Sequence, residues 1–359
     1  MKQLNRREAL GILSAAGSAL VLGTDALAAD EQAPRRTKMG IVTYAFGIHQ
    51  KNNWAGRHGG LSPALALLEE ARALNSAGIQ VDLSSADAAQ AEELRRRADA
   101  YGMYVEASIS PPKSAEDLER FEKSVVLAQS AGARLGRTVI LPGRRYEEFK
   151  SLEQFRQAEQ NGLQSLKWAE PVLARHRFFL GVENHKDQRI AEKIAVLKTL
   201  GSEFIGLCVD VGNSFTLMED PLEVARAYAP YAFTVHFKDQ AVRAKADGFW
   251  FADVPLGEGF LDLHALVKIL RDAKPGVHLN LEVITRDPLD VPCLKEEFWV
   301  TMPDTPASKL AHALSIVKNQ SASQPFIELS KLPVEQQLSL ELSNVRRSLA
   351  FARDHLGLL

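Results

Sequence analysis

The chain has 359 residues, 46% hydrophobic and 25% charged, a globular composition that excludes a fibrous, collagen-like or wholly disordered protein. Its 43 basic and 45 acidic residues leave a formal net charge of −2, so no general positive field draws it to nucleic acid or to an anionic membrane surface. Two cysteines, Cys208 and Cys293, cannot staple a chain of this size, and stability has to come from one large core.

In chain order, the first expected element is a leader. Lys2, Arg6 and Arg7 precede an apolar run from Ala9 to Leu22, and Ala26-Leu27-Ala28 supplies the small residues of a cleavage site, so residues 1–29 read as an export signal. The pair Arg6-Arg7 resembles a twin-arginine signal, which implies export of an already folded protein to the periplasm. The run is too short and too rich in Gly, Ser and Ala for a stable membrane span after processing.

From Met39 onward, short β-branched runs alternate with longer segments of helical period, as βα units do. The eight expected strands are Met39–Ala45, Ile79–Leu83, Tyr104–Ile109, Thr138–Leu141, Phe178–Glu183, Ile205–Val211, Phe233–Phe237 and Leu279–Ile284. Between them, Ser62-Pro63 and Asp220-Pro221 place a capping oxygen before a proline at the first helical position. Ser114-x-x-Asp117 and Ser151-x-x-Gln154 resemble capping boxes, and Gly78, Gly102 and Gly201 stand where left-handed C-caps are wanted. Eight strands with intervening helices, and no Gly-rich dinucleotide fingerprint after the first, point to an α/β (β/α)₈ barrel over residues 30–290. Residues 291–359 read as a tail without further strands: a loop, a helix near 307–319 and a long helix near 334–356 whose apolar face packs on the barrel or on a second copy in a homo-oligomer.

The last four strands end in ionisable residues: Glu183-Asn-His185, Asp210-Val-Gly-Asn213, His236-Phe-Lys238-Asp239 and Glu282. A strand buried on both faces has no cheap place for a carboxylate unless it is paired or coordinated. In a barrel the C-terminal strand ends converge, so Glu183, Asp210, His236 and Glu282 can meet around one divalent ion. Three oxygens and one nitrogen suit Mn²⁺ first, with Mg²⁺, Co²⁺ or Zn²⁺ as alternatives. Cys208, two residues before Asp210, reads as a buried core thiol. The competing account of the quartet is a buried ion-pair network beside Lys238 and Arg286.

At these residues, together with the segment Leu256-Gly-Glu258-Gly-Phe-Leu-Asp262, the chain resembles the xylose isomerase-like, or AP-endonuclease-type, TIM-barrel superfamily, which contains many sugar phosphate isomerases and epimerases. The resemblance spans about residues 39–284. It implies a metal on Glu183, Asp210, His236 and Glu282, with Glu183 and Glu282 working as acid and base on opposite faces of a sugar or keto-sugar. Ketose epimerases of this kind carry a His where this chain has Asn213, and an Arg after the metal-binding His where it has Lys238 and Asp239.

Because alternate residues of a strand share a face, His185 points with Glu183, and Lys238 with His236, toward the barrel mouth, where both could handle protons or hold a substrate oxygen. Glu106, Asn213, Asp239, Trp250 and Glu258 are further candidates for substrate contact, Trp250 as a stacking residue in the loop after the seventh strand. The leading expectation is a metal-dependent isomerase or epimerase working through an enediolate, whose oxygens a divalent cation stabilises. A lyase is the close alternative, since loss of CO₂, water or a glycosidic group passes through the same species. A non-catalytic sugar-binding barrel is the reading from another class.

Overall fold

The computed structural model describes residues 37–52 and 54–358; the expected export signal lies outside the described residues. Eight parallel strands close a barrel in the order β1-β10-β7-β6-β5-β4-β3-β2. They are β1 (Met39–Val42), β2 (Gly78–Asp82), β3 (Tyr104–Ser108), β4 (Leu135–Thr138), β5 (Phe179–Glu183), β6 (Ile205–Asp210), β7 (Ala232–Phe237) and β10 (His278–Leu281). Helices between successive strands, such as Pro63–Ala73, Ala88–Tyr101 and Leu152–His176, sheathe the barrel, and their apolar faces join the outward-facing strand residues in one continuous core. The expected (β/α)₈ architecture is therefore observed.

Three local expectations are corrected. The fourth strand runs over Leu135–Thr138 rather than Thr138–Leu141, because Gly136 gives room to the Phe178 ring and Arg137 turns inward to Glu183; the apolar run taken as the strand is the loop that follows. Gly78 is not a helix cap but the first residue of β2. It lies where the Tyr104 ring would meet a Cβ, while the preceding helix ends at Ala73 with Leu74 as its C-cap and Asn75, at φ 57°, supplies the left-handed turn. The segment after β7 is not a loop. It forms an antiparallel hairpin, β8 (Asp239–Lys245) and β9 (Gly248–Val254), joined at its far edge by β11 (Leu289–Val291) in the region expected to lack strands.

The other signals, the capping box expected at Ser114 excepted, behave as their chemistry demands. Ser62, Ser151 and Asp220 accept hydrogen bonds from the first-turn amides of their helices, Gly102 and Gly201 sit at φ 59° and 58° as C-caps, and Ser114 makes no capping bond. In the C-terminal segment, Val345, Leu349 and Ala352 of the helix Val334–His355 belong to the barrel's core. Its buried Glu341 accepts from the Ile48 and His49 amides at 2.8 and 3.0 Å, fastening the loop after β1. Among the described residues no helix is long and apolar enough to cross a membrane.

Candidate metal centre

Adjacent strands β5, β6, β7 and β10 deliver Glu183, Asp210, His236 and Glu282 to one point. Glu183 and Asp210 end their strands, His236 is the next-to-last residue of β7, and Glu282 follows the end of β10. One ligand atom from each lies within 4.8 Å of the others, and all four residues are buried. The set fits a divalent cation on its chemistry, three carboxylates and an imidazole. It also fits on a particular atom: the buried Nδ1 of His236 has no hydrogen-bond partner among the described residues and is flanked by Glu282 Oε1 at 3.2 Å and Glu183 Oε2 at 3.5 Å. This cluster could hold a metal ion.

Two buried cations stand among the carboxylates. Lys238 lies 2.7 Å from Asp210 Oδ2 and pairs as well with Glu282, and Arg137 donates through Nε to Glu183 Oε2 at 2.5 Å. Burial alone would push these carboxyls up. Arg137 and His236 outweigh it for Glu183, and His236 and Lys238 for Glu282, so both are held well below the usual carboxylate range. Burial dominates at Asp210, which stays above its ordinary value despite Lys238. Burial pulls Lys238 and His236 down, but their acidic neighbours, with Cys208 beside His236, raise both above their ordinary values. As expected, Cys208 is a buried free thiol, pushed up to about 11 chiefly by burial.

Asn213 bridges the site. Its Nδ2 donates to Glu183 Oε1 at 3.2 Å, its backbone amide donates to Asp210 Oδ1 at 2.7 Å, and its Oδ1 accepts from Lys186. His185 stands at the rim beside Glu183, its pKa lowered to about 4 by burial against the opposing pull of Glu183, so the ring is neutral at pH 7. Lys238 is placed inside the ligand set, bonded to neither Asp239 nor Glu258.

The remaining candidates are set apart from the quartet by their partners. Asp239 turns its carboxylate onto the amides of Gln240, Gly257, Gly259 and Leu261, so it ties down the 257–261 loop. Glu258 is exposed and pairs with Arg347 at 2.7 Å. Trp250 belongs to β9, where alternation puts Phe249 and Phe251 inward against Phe215 and leaves its own ring over the Lys245 ammonium, 4.6 Å from the centroid. Glu106 is buried inside the barrel, hydrogen-bonded to Gln80, Thr234, Asn280 and His278.

Sequence reasoning missed Arg137, Gln80 and Lys186. An arginine inside a strand was a signal for the first, lost when β4 was placed three residues late. Lys186 is buried and held at φ 59°, unusual for a residue with a Cβ, and burial lowers its pKa to about 8. A cleft of about 750 Å³ opens at the ends of β1 to β4, lined by Tyr44, Ser108, Ser110 and Arg137. Arg137 thus borders both the cleft and Glu183.

Comparison with known proteins agrees with this geometry. The family model described as xylose isomerase-like TIM barrel matches residues 68–311, and the chain belongs to that family. It is 26% identical over 251 residues to a 3-oxo-isoapionate decarboxylase of Pectobacterium atrosepticum, covering 68% of this chain and 84% of the relative. Among solved structures, an L-ribulose 3-epimerase matches with a TM-score of 0.57 at 14% identity, over 89% of this chain and 94% of that one. A probable 3-DHS dehydratase from Bacillus anthracis matches at 0.53 and 16% identity, over 74% and 99%. At such identities the structural likenesses show the fold alone.

Proposed function

We propose that the chain is a divalent-metal-dependent lyase that removes a small fragment, CO₂ in the simplest case, from a keto-sugar acid. The observation that carries this reading is Lys238, a buried ammonium seated between Asp210 and Glu282 in the ligand set. Breaking a bond next to a carbonyl leaves an electron pair that becomes an enediolate, and a bound divalent cation would supply charge stabilisation to its oxygens. The C–COO⁻ bond breaks, CO₂ leaves, the Lys238 ammonium stands beside the developing negative charge, and water delivers a proton to the carbon. Neutral His185 orients a substrate hydroxyl at the rim. The decarboxylase named among the relatives supports this order of preference, which reverses the order drawn from the sequence.

A second reading, isomerisation or epimerisation, is favoured by one observation: Glu183 and Glu282 approach His236 Nδ1 together, at 3.5 and 3.2 Å, as a pair of acid–base carboxylates would. Against it, both are held strongly ionised by cations, which makes them weak bases. The L-ribulose and D-psicose 3-epimerases among the structural neighbours share the frame.

Incubating the Mn²⁺-supplemented protein in D₂O with keto-sugar acids and neutral ketoses separates the outcomes. CO₂ release with one deuteron placed on carbon supports the lyase; an epimer or isomer of unchanged composition supports the second reading. Affinity without turnover would leave a sugar-binding barrel. Export through the Arg6-Arg7 signal is part of the proposal, and cell fractionation checks it.

A further inference from the structure

An imidazole can present either nitrogen to a metal, and the hydrogen bond made by the other nitrogen decides which. We propose that Gln80 and Glu106 are positioning residues that hold the Nε2 of His236 as the donor and leave Nδ1 to face the metal site. The inference rests on the metal reading above and assigns two residues on the opposite wall of the barrel to it.

The chain of bonds has only one consistent direction. Glu106 offers acceptors alone. Its Oε2 receives Thr234 Oγ1 at 2.7 Å, Asn280 Nδ2 at 3.0 Å and Gln80 Nε2 at 3.0 Å, and its Oε1 lies 2.7 Å from His278 Nδ1. Asn280 is itself oriented, since its Oδ1 accepts from Tyr104 at 2.9 Å and its Nδ2 donates to Thr234 as well. With its NH₂ committed to Glu106, the Gln80 amide must turn its oxygen the other way. That oxygen stands 2.7 Å from His236 Nε2, so Nε2 carries the hydrogen and donates. Nδ1 is then the nitrogen left between Glu183 and Glu282.

Gln80, Glu106, Thr234, His236 and Asn280 come from β2, β3, β7 and β10 and are all buried. A polar set that merely filled the barrel would not need to end on a ligand nitrogen. Glu106, expected from the sequence to touch substrate, acts here through Gln80 instead.

The test uses Zn²⁺ as probe, read by calorimetry and by ¹⁵N NMR of histidine-labelled protein. In the wild type, Zn²⁺ should shift Nδ1 of His236 while Nε2 keeps its proton. Gln80→Leu should weaken Zn²⁺ binding by about 10- to 100-fold, the usual cost of losing such a partner, with cooperative unfolding retained. Gln80→Glu is isosteric and can share one proton with Glu106; it should recover most of the lost affinity. If Gln80→Leu does not fold, Glu106→Gln carries the test, because it frees the Gln80 amide to flip and should weaken binding likewise. Unchanged affinity and an unchanged Nε2 proton in both Gln80→Leu and Glu106→Gln would overturn the inference. A wild type that binds no Zn²⁺ or Mn²⁺ would instead remove the metal reading, and this one with it.

Discussion

Lys238 is the residue on which the electrostatics of the site turn, because Asp210 and Glu282 both lean on its ammonium. Without it, Asp210 loses its ion-pair partner and Glu282 keeps only His236, and breaking a buried pair in this way typically costs about 3–5 kcal/mol. Lys238→Met should therefore lower the melting temperature sharply in EDTA and regain most of it when Mn²⁺ is added; equal stability with and without metal would count against the arrangement. A pH effect belongs to Glu219, nine residues after Asp210, whose carboxyl accepts from the Ile190 amide and is pushed up to about 7, chiefly by burial. A raised folded pKa means that the native state holds this proton more tightly than the unfolded chain does, so stability falls as pH rises from about 4.5 to about 7 and the penalty is complete above that window. Glu219→Gln should gain on the wild type between pH 5 and pH 8, by about 3 kcal/mol at most, in melting temperatures measured across that range. At this scale the clustering of Glu183, Asp210, His236 and Glu282 was legible, because charged residues ending apolar strands are costly without a common partner. Arg137 and Gln80 were not: Arg137 bonds to Glu183 on the neighbouring strand β5, and Gln80 reaches across the barrel to His236 on β7, pairings that no local pattern encodes.

At the scale of elements, the β8–β9–β11 sheet buttresses the turn that carries Asn213. Phe249 and Phe251 pack on Phe215 at 5.6 and 6.0 Å between ring centroids, and Phe215 belongs to the turn Asn213–Leu217 that follows Asp210. Truncation of a buried aromatic costs about 3–5 kcal/mol, so Phe251→Ala should lose that much in denaturant unfolding and also weaken Mn²⁺ binding by loosening Asn213. A variant that loses stability but binds Mn²⁺ as before would separate the sheet from the site. The hairpin left a sequence signal in the Asp247-Gly248 dipeptide, at the turn between Lys245 and Gly248, which the reading of this segment as a loop passed over. The displacement of β4 has a similar origin: the apolar run 138–141 looks more strand-like than Leu-Gly-Arg-Thr, whose glycine and arginine make sense only once Phe178 and Glu183 are in place.

For the whole molecule, the alternation of strand and helix determined the closed barrel, and the barrel brings the ends of β5, β6, β7 and β10 together. That is why the fold, and the meeting of Glu183, Asp210, His236 and Glu282 at one point, could be read before any coordinates. The surroundings of Asp239, Trp250 and Glu258 were less legible, since these residues gain their partners from loop and hairpin geometry that periodicity does not encode. A ligand that binds only the folded state stabilises it by about 2.7 kcal/mol at a hundredfold excess over its dissociation constant, so chelation should lower the melting temperature of metal-loaded protein as a whole. The most direct measurement is anomalous diffraction at the manganese edge from crystals grown with Mn²⁺. The account predicts one strong peak bonded to Glu183, Asp210, Glu282 and the Nδ1 of His236, with Lys238 displaced from at least one of its two carboxylates. An empty site at saturating Mn²⁺, with Lys238 still seated between Asp210 and Glu282, would contradict it.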